Sequence, residues 1–234
     1  MSAEVEHKGF KDFPLFRKLA PAEVEQLEKL CRFKRYKSQE QIIDRQSESR
    51  EVFFVVSGRV RIVIYSLSGR EITLDDLCAG GYFGELAALD SEPRSASVMA
   101  LEDTVTASMP HETFLNVLDR HPEVARNVML RLTAIIRQAT ERIMDLSTLG
   151  ANNRVHAEIL RQARLAGEDE DGRAWIAPIP VHSDVASRVS TTRETVARVF
   201  SDLTKSGLLV REKDALLVTD LFRLEDLVEE VRGE

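Results

Sequence analysis

The 234-residue sequence predicts an α+β protein in three parts: an N-terminal antiparallel β-roll, one long helix, and a C-terminal helix-turn-helix closed by a hairpin. Three observations predict it. Between residues 33 and 109 polar and apolar residues alternate with the period of a half-buried strand. Between 122 and 150 apolar residues recur every three or four positions. Beyond 183 two short helical patterns run into two apolar strands. The length is about one and a half times the ~150-residue prior for one domain, so two domains and a connector fit. An apolar fraction of 43% with 30% charged residues supports a sizeable core, and no run of 18 apolar residues offers a membrane span. The first twenty residues lack the basic-then-apolar order of a secretory signal, which places the chain in the cytoplasm.

Taken in order, a short amphipathic helix spans 21–30, with Val24, Leu27 and Leu30 on one face. In the β region Val60, Ile62 and Ile64 fall on one side of a strand and Arg59 and Arg61 on the other. The run 104–109, Thr-Val-Thr-Ala-Ser-Met, alternates strictly. Turn signals recur at Ser57-Gly58, Ser68-Gly69, Gly80-Gly81 and Pro93, the spacing of a sandwich or roll. From Pro122 to Gly150 no Pro or Gly intervenes, and Val128, Leu132, Ile135, Ile136, Ala139, Ile143, Leu146 and Leu149 mark a helix about 40 Å long at 1.5 Å per residue. A domain of ~100 residues does not need that length for its own packing. A second copy covering the stripe, a parallel homodimer, is the economical reading. The other is an intrachain core helix, because Arg137 and Arg142 interrupt a strict seam. Helical periodicity continues to Leu165, and the acidic stretch 167–172 reads as a solvated loop in preference to a cation site. Helices near 183–189 and 192–206 precede strands at 208–211 and 215–218, which flank the turn Glu212-Lys213-Asp214.

The chemistry on offer is narrow. Cys31 and Cys78 are too few and too far apart to ligate an iron-sulfur cluster or a structural zinc. His7, His111, His121, His156 and His182 show no metal spacing, and no nucleophile, base and orienting group stand together, so no enzyme is predicted. A net charge of −7 argues against indiscriminate coating of nucleic acid or anionic membrane. Residues 181–213 reverse the sign: six Lys/Arg stand against four acids, a net +2, which suits a local DNA face.

Within that segment Thr191-Thr192-Arg193-Glu194 has capping-box spacing, with the Thr191 hydroxyl placed to accept from the amide of residue 194. Val196, Val199 and Leu203 then form an inward stripe, while Arg193, Glu194 and Arg198 point outward together. Arginine can fork onto guanine O6 and N7, and a carboxylate can accept from cytosine N4. The string 193–198, Arg-Glu-Thr-Val-Ala-Arg, preceded by Asp184-Val185-Ala186, resembles the recognition motif of the Crp/Fnr family of bacterial transcription regulators. The resemblance implies a winged helix-turn-helix in which Arg193, Glu194 and Arg198 read a TGTGA-type half-site of a palindromic double-stranded operator. It implies that His182, Thr192 and Thr195 approach phosphates. Ser190 stands where the family commonly has Gly in the turn.

In the β region Gly84-Glu85-Leu86-Ala87 is followed by Arg94-Ser95. Amides at a helix start suit an anion, Arg94 can fork onto phosphate oxygens, Ser95 can add a third bond, and Glu85 can accept from a sugar hydroxyl. A salt bridge within a loop fits the same residues. The string is similar to the phosphate-binding cassette of cyclic-nucleotide-binding domains. That likeness implies a jelly-roll-like β-roll holding 3′,5′-cyclic AMP through Gly84, Glu85, Leu86, Ala87, Arg94 and Ser95. It also implies that Thr140 reaches the base bound in the partner subunit. Ala139 replaces a neighbouring hydroxyl that cAMP receptor proteins offer to adenine, so cGMP stays an alternative effector. The family organisation implies an effector domain over 1–121, a dimerisation helix over 122–149 and a DNA-binding domain over 150–234, with RNA polymerase as a further partner. Three rivals use the same residues less well: a Crp/Fnr-type regulator of a different signal such as haem, a cupin-like enzyme, and a cyclic-nucleotide module of a channel or kinase. Trp175, the sole tryptophan, falls near the junction with the DNA-binding part, as an optical reporter or as plain packing.

Overall fold

The computed structural model describes residues 9–232, so His7 lies outside the described residues. The chain divides into two compact units, Met1–Ile135 and Ile136–Glu234.

In the first unit, helix α1 (Pro21–Lys29) precedes strands β1 (Arg32–Tyr36), β2 (Gln41–Ile43), β3 (Val52–Ser57), β4 (Arg59–Tyr65), β5 (Glu71–Cys78) and β6 (Tyr82–Phe83). Helix α2 (Glu85–Asp90), strands β7 (Ser97–Ala100) and β8 (Thr104–Met109), helix α3 (His111–Arg120) and the start of α4 (Pro122–Thr148) follow. Two four-stranded antiparallel sheets, ordered β1-β8-β3-β6 and β2-β7-β4-β5, make the roll. Strand β3 is buried at all six positions, since its two faces serve two cores. Phe53 and Val55 pack with Val60, Phe83 and Val98. Val52, Phe54 and Val56 face Phe10, Phe13, Phe16, Phe114, Val124 and Val128. Phe10, Phe13 and Phe16 surround Phe54 with ring centroids 5.0–5.5 Å away, a contact range in which aromatic pairs add to burial.

The same double burial corrects the reading of 104–109. Strand β8 lies between β1 and β3, and Thr104 and Thr106 are buried instead of facing water. The buried Thr104 hydroxyl shares its one proton between the Glu102 carbonyl at 2.9 Å and the Arg59 carbonyl at 3.2 Å, and accepts from the Arg59 amide. In β4, Val60 and Ile62 join the inter-sheet core but Ile64 does not. Pairing with β5 slips at a bulge between Ile62 and Val63, and Val63 is the buried residue beyond it. Leu30 is exposed because α1 ends at Lys29. Helix α3 stands outside the sequence expectation although Phe114, Val117 and Leu118 recur at helical spacing and face one core. Pro122, which restricts the residue before it, ends α3 and opens α4, leaving His121 non-helical between them.

In the second unit the end of α4 is followed by α5 (Ala151–Ala166), β9 (Ala174–Ile176), α6 (His182–Arg188), α7 (Arg193–Lys205), β10 (Leu209–Glu212), β11 (Ala215–Val218) and α8 (Leu221–Arg232). The predicted hairpin is part of a three-stranded antiparallel sheet ordered β10-β11-β9. Strand β9 is too short for a period-2 signal, and its Trp175 is exposed on the face away from the core. Val155, Ile159, Val185, Val196, Val199, Leu203, Leu209, Leu216 and Leu224 share one core, so α5, α6, α7, α8 and the sheet fold as a unit. The acidic loop closes on itself: the Asp169 carboxylate accepts from the amides of Asp171 and Arg173 and from Arg173 Nε.

Candidate functional site

The cassette residues come together at the start of α2. Gly84 is the N-cap, at φ +85°, in the left-handed region. A Cβ there would stand 2.6 Å from Arg94 Nη1 and 3.0 Å from the Glu51 carbonyl oxygen, so both backbone conformation and close approach require glycine. Arg94 is 3% exposed. It donates from Nη1 to the Gly84 carbonyl (2.8 Å), from Nη2 to the Glu51 carbonyl (2.8 Å) and from Nε to Ser49 Oγ (3.1 Å). The Glu51 carboxylate lies 3.7 Å from Nη2, beyond a hydrogen bond. Ser95 is exposed beside it, Leu86 points outward and Ala87 is buried.

Glu85 is 5% exposed. Burial pushes its carboxyl above the usual glutamate range, opposed by the nearby Arg131 guanidinium, by its own amide and by Arg94. Arg131 comes from α4 and stacks 4.2 Å from the Tyr82 ring centroid. Ser49, Glu51 and Arg131 escaped the sequence reading, since loop serines and one helix arginine carry no spacing signal; only the tertiary fold joins them to the cassette.

Along α4, Met129, Leu132, Ile136, Ala139, Ile143 and Leu146 fall at alternating three- and four-residue steps, the a and d positions of a heptad. Ile136 and Ile143 are 65% and 64% exposed. Arg137 and Arg142 fall beside those positions, and Arg142 donates to the Arg188 carbonyl. Thr140, in the second unit, is exposed and its hydroxyl donates to the Ile136 carbonyl at 2.9 Å.

In the helix-turn-helix, the cap of α7 is Thr192 and not Thr191. Thr192 Oγ1 accepts from the Thr195 amide at 3.2 Å, while the Thr191 amide is drawn back to the Ala186 carbonyl, which leaves Thr192 as the first extended residue before the helix. Glu194 sits low in pKa because its own amide and the Thr192 hydroxyl bond its carboxylate. Val196, Val199, Phe200 and Leu203 face the core, and Thr192, Arg193, Glu194 and Arg198 are exposed. Arg198 Nη2 donates to Asn152 Oδ1 at 3.2 Å. His182 and Thr195 are half-buried; the His182 ring lies 4.8 Å from that of Phe200, and burial, then Arg193, lowers its pKa. Ser190 adopts φ +52°, so the turn is made with a left-handed serine. Two guanidinium forks and a carboxylate on one exposed helix face can engage base edges in a major groove.

Among the described residues no three His, Cys, Asp or Glu side chains gather as a metal ion requires, and no helix is long and apolar enough to cross a membrane. The Cys31 thiol is pushed up to about 12 by burial and Glu28, which makes it a poor nucleophile.

Residues 33–121 match the family model of the cyclic nucleotide-binding domain, and residues 153–227 match that of the Crp-like helix-turn-helix domain. The chain is 32% identical over 217 residues to the cyclic AMP receptor protein of Thermus thermophilus, covering 93% of this chain and 97% of that one. It is 25% identical to the CRP-like cAMP-activated global transcriptional regulator of Mycobacterium tuberculosis, over 74% of this chain and 77% of that one. Among solved structures, a variant of CooA from Carboxydothermus hydrogenoformans superposes with a TM-score of 0.80 at 26% identity, covering 93% of this chain and 96% of that one.

Proposed function

Because the chain belongs to the Crp/Fnr family of transcription regulators, with a cyclic nucleotide-binding domain and a DNA-binding helix-turn-helix in one polypeptide and no enzymatic role, we propose that it is a homodimer gated by 3′,5′-cyclic AMP. In this reading residues 1–121 take the effector, 122–149 pair the two copies and 150–234 bind a palindromic TGTGA-type operator, from which the protein meets RNA polymerase.

The observation that carries the reading is the lock between Gly84 and Arg94. A guanidinium buried to 3%, with two carbonyls and a hydroxyl as its close acceptors and the Glu51 carboxylate 3.7 Å from Nη2, keeps positive charge in a dry site. Nη1 and Nη2 each keep a second hydrogen beyond those bonds, and a cyclic phosphate takes that pair of donors beside the Glu51 carboxylate. Glu85 then accepts from the ribose hydroxyl, Ser95 adds a bond to phosphate, and the first turn of α2 at Leu86 and Ala87 shapes the rim. Thr140 of the partner subunit reaches the base, in line with the family resemblance. Arg193, Glu194 and Arg198 read bases, while His182, Thr192 and Thr195 approach phosphates. The exposed seam on α4 supports pairing between copies.

The test is fluorescence anisotropy of a labelled TGTGA/TCACA palindrome titrated with protein at one fixed salt concentration, without effector, with cAMP and with cGMP. Fixed salt matters because phosphate contacts dominate affinity. Tight binding with cAMP alone is the expected result. An equal response to cGMP assigns relaxed base choice to Ala139, and binding indifferent to both nucleotides overturns the gating.

A further inference from the structure

One guanidinium in the second unit joins two breaks in the chain. Arg154, on the first turn of α5, donates from Nη1 to the Leu149 carbonyl (2.8 Å), from Nε to the Val189 carbonyl (2.9 Å) and from Nη2 to the Ser190 carbonyl (3.3 Å). Leu149 is the last residue before the Gly150 cap, where α4 gives way to α5. Val189 and Ser190 form the turn between α6 and α7, two residues ahead of the Thr192 cap and directly before the base-reading face. A second arginine, Arg142 on α4, donates to the Arg188 carbonyl, so three consecutive carbonyls at the end of α6 accept from cations carried by α4 and α5. Helix C-termini present unpaired carbonyls and a negative dipole end, and a planar fork fixes direction as well as charge.

We infer that Arg154 is a positioning residue that ties the α4–α5 break to the recognition turn, so that movement of the Leu149 carbonyl is felt at Ser190 and then at Arg193 and Glu194. The same contacts hold a turn that lacks glycine, with Ser190 at φ +52°. Arg154 thus has two separable tasks: supporting the left-handed serine, and making DNA affinity depend on the effector. The second rests on the cyclic-nucleotide reading above.

The experiment compares the full-length protein with Arg154→Met, Arg154→Lys and Arg154→Met/Ser190→Gly. Hydrogen exchange of residues 186–195 is followed without ligand, and operator anisotropy with and without cAMP at fixed salt. Arg154→Met is expected to speed exchange in the turn at least tenfold and to lower operator affinity in cAMP by a similar factor, while cAMP affinity stays within twofold. Arg154→Lys, which keeps the charge but not the fork, falls between, and guards against a variant that merely fails to fold. Adding Ser190→Gly restores operator affinity but not the ratio of affinities with and without cAMP. Unchanged exchange in Arg154→Met overturns the inference, and a wild-type ratio in the double variant overturns the coupling. Should the wild type itself ignore cAMP, the gating reading fails, while the exchange data still decide whether Arg154 holds the turn.

Discussion

A buried carboxylate beside a buried guanidinium makes the cassette sensitive to protons. Glu85 has its pKa raised by burial first, with Arg131 and Arg94 opposing. A group raised in the folded state holds its proton longer than in the unfolded chain, so its contribution to stability is present below the ordinary glutamate value of about 4.3 and fades as pH rises through the folded value. Ligand binding runs the other way, because the ionised carboxylate accepts from the one free ribose hydroxyl of cAMP more strongly than the protonated acid does. Calorimetric titration with cAMP from pH 7.5 down to 5 is therefore expected to show affinity falling from a higher pH than an unperturbed glutamate would give. Glu85→Gln is expected to bind more weakly and with a flat profile. A wild-type profile that is also flat would remove Glu85 from the ligand. The residue types of this site were legible in the sequence because Gly, Glu, Arg and Ser lie within a dozen positions. Its anchors were not: Ser49 and Glu51 precede Arg94 by more than forty positions and meet it only through the roll.

Elements with a full period announced themselves, and those without one did not. The helices α5 and α7 and the strands β10 and β11 stand within a residue or two of where periodicity puts them, since each has an apolar stripe committed to one core. Strand β3 is apolar almost throughout and β8 alternates in sequence, yet both faces of each are covered, so neither pattern tells which side meets water; α3 carries Phe114, Val117 and Leu118 at helical spacing but is short and closed by a proline. The cap of α7 was misplaced by one residue, as two adjacent threonines offer the same hydroxyl and only the backbone selects Thr192. The turn before it carries a measurable cost. A side chain at left-handed φ is strained by about 1–2 kcal/mol, part of which glycine returns through its greater unfolded-state entropy. Ser190→Gly is thus expected to stabilise the protein by about 0.5–1 kcal/mol, seen as a rise of a few degrees in the melting of the second unit by calorimetry. A fall in Tm would mean that the serine side chain holds the turn by itself.

For the molecule as a whole, the heptad seam and the recognition face are linked through concentration. In the proposed dimer, two heads convert the second half-site contact into an intramolecular event, with an effective concentration in the millimolar range for short connections. The stripe proposed to pair them is exposed and apolar along Met129, Ile136 and Ile143, so in the proposed dimer a charge at its centre has to be buried against its own copy. Unpaired charges at facing a positions of a coiled coil oppose association strongly. The double substitution Ile136→Glu/Ile143→Glu is expected to yield a monomer by sedimentation velocity at micromolar concentration. Because these side chains lie outside both hydrophobic cores that flank α4, melting of the monomer is expected to stay cooperative. Its affinity for the palindrome should drop to that for an isolated half-site, and the slope of log affinity against log salt should fall by about half, since half the phosphate contacts are lost. Inserting five base pairs between half-sites turns them to opposite faces of the duplex, and wild-type protein on that DNA should behave like the variant on the native palindrome. Both results together locate cooperativity in the seam. A variant that remains dimeric, or a monomer that keeps palindrome affinity, would show that the copies pair through another surface and that α4 is covered by something else.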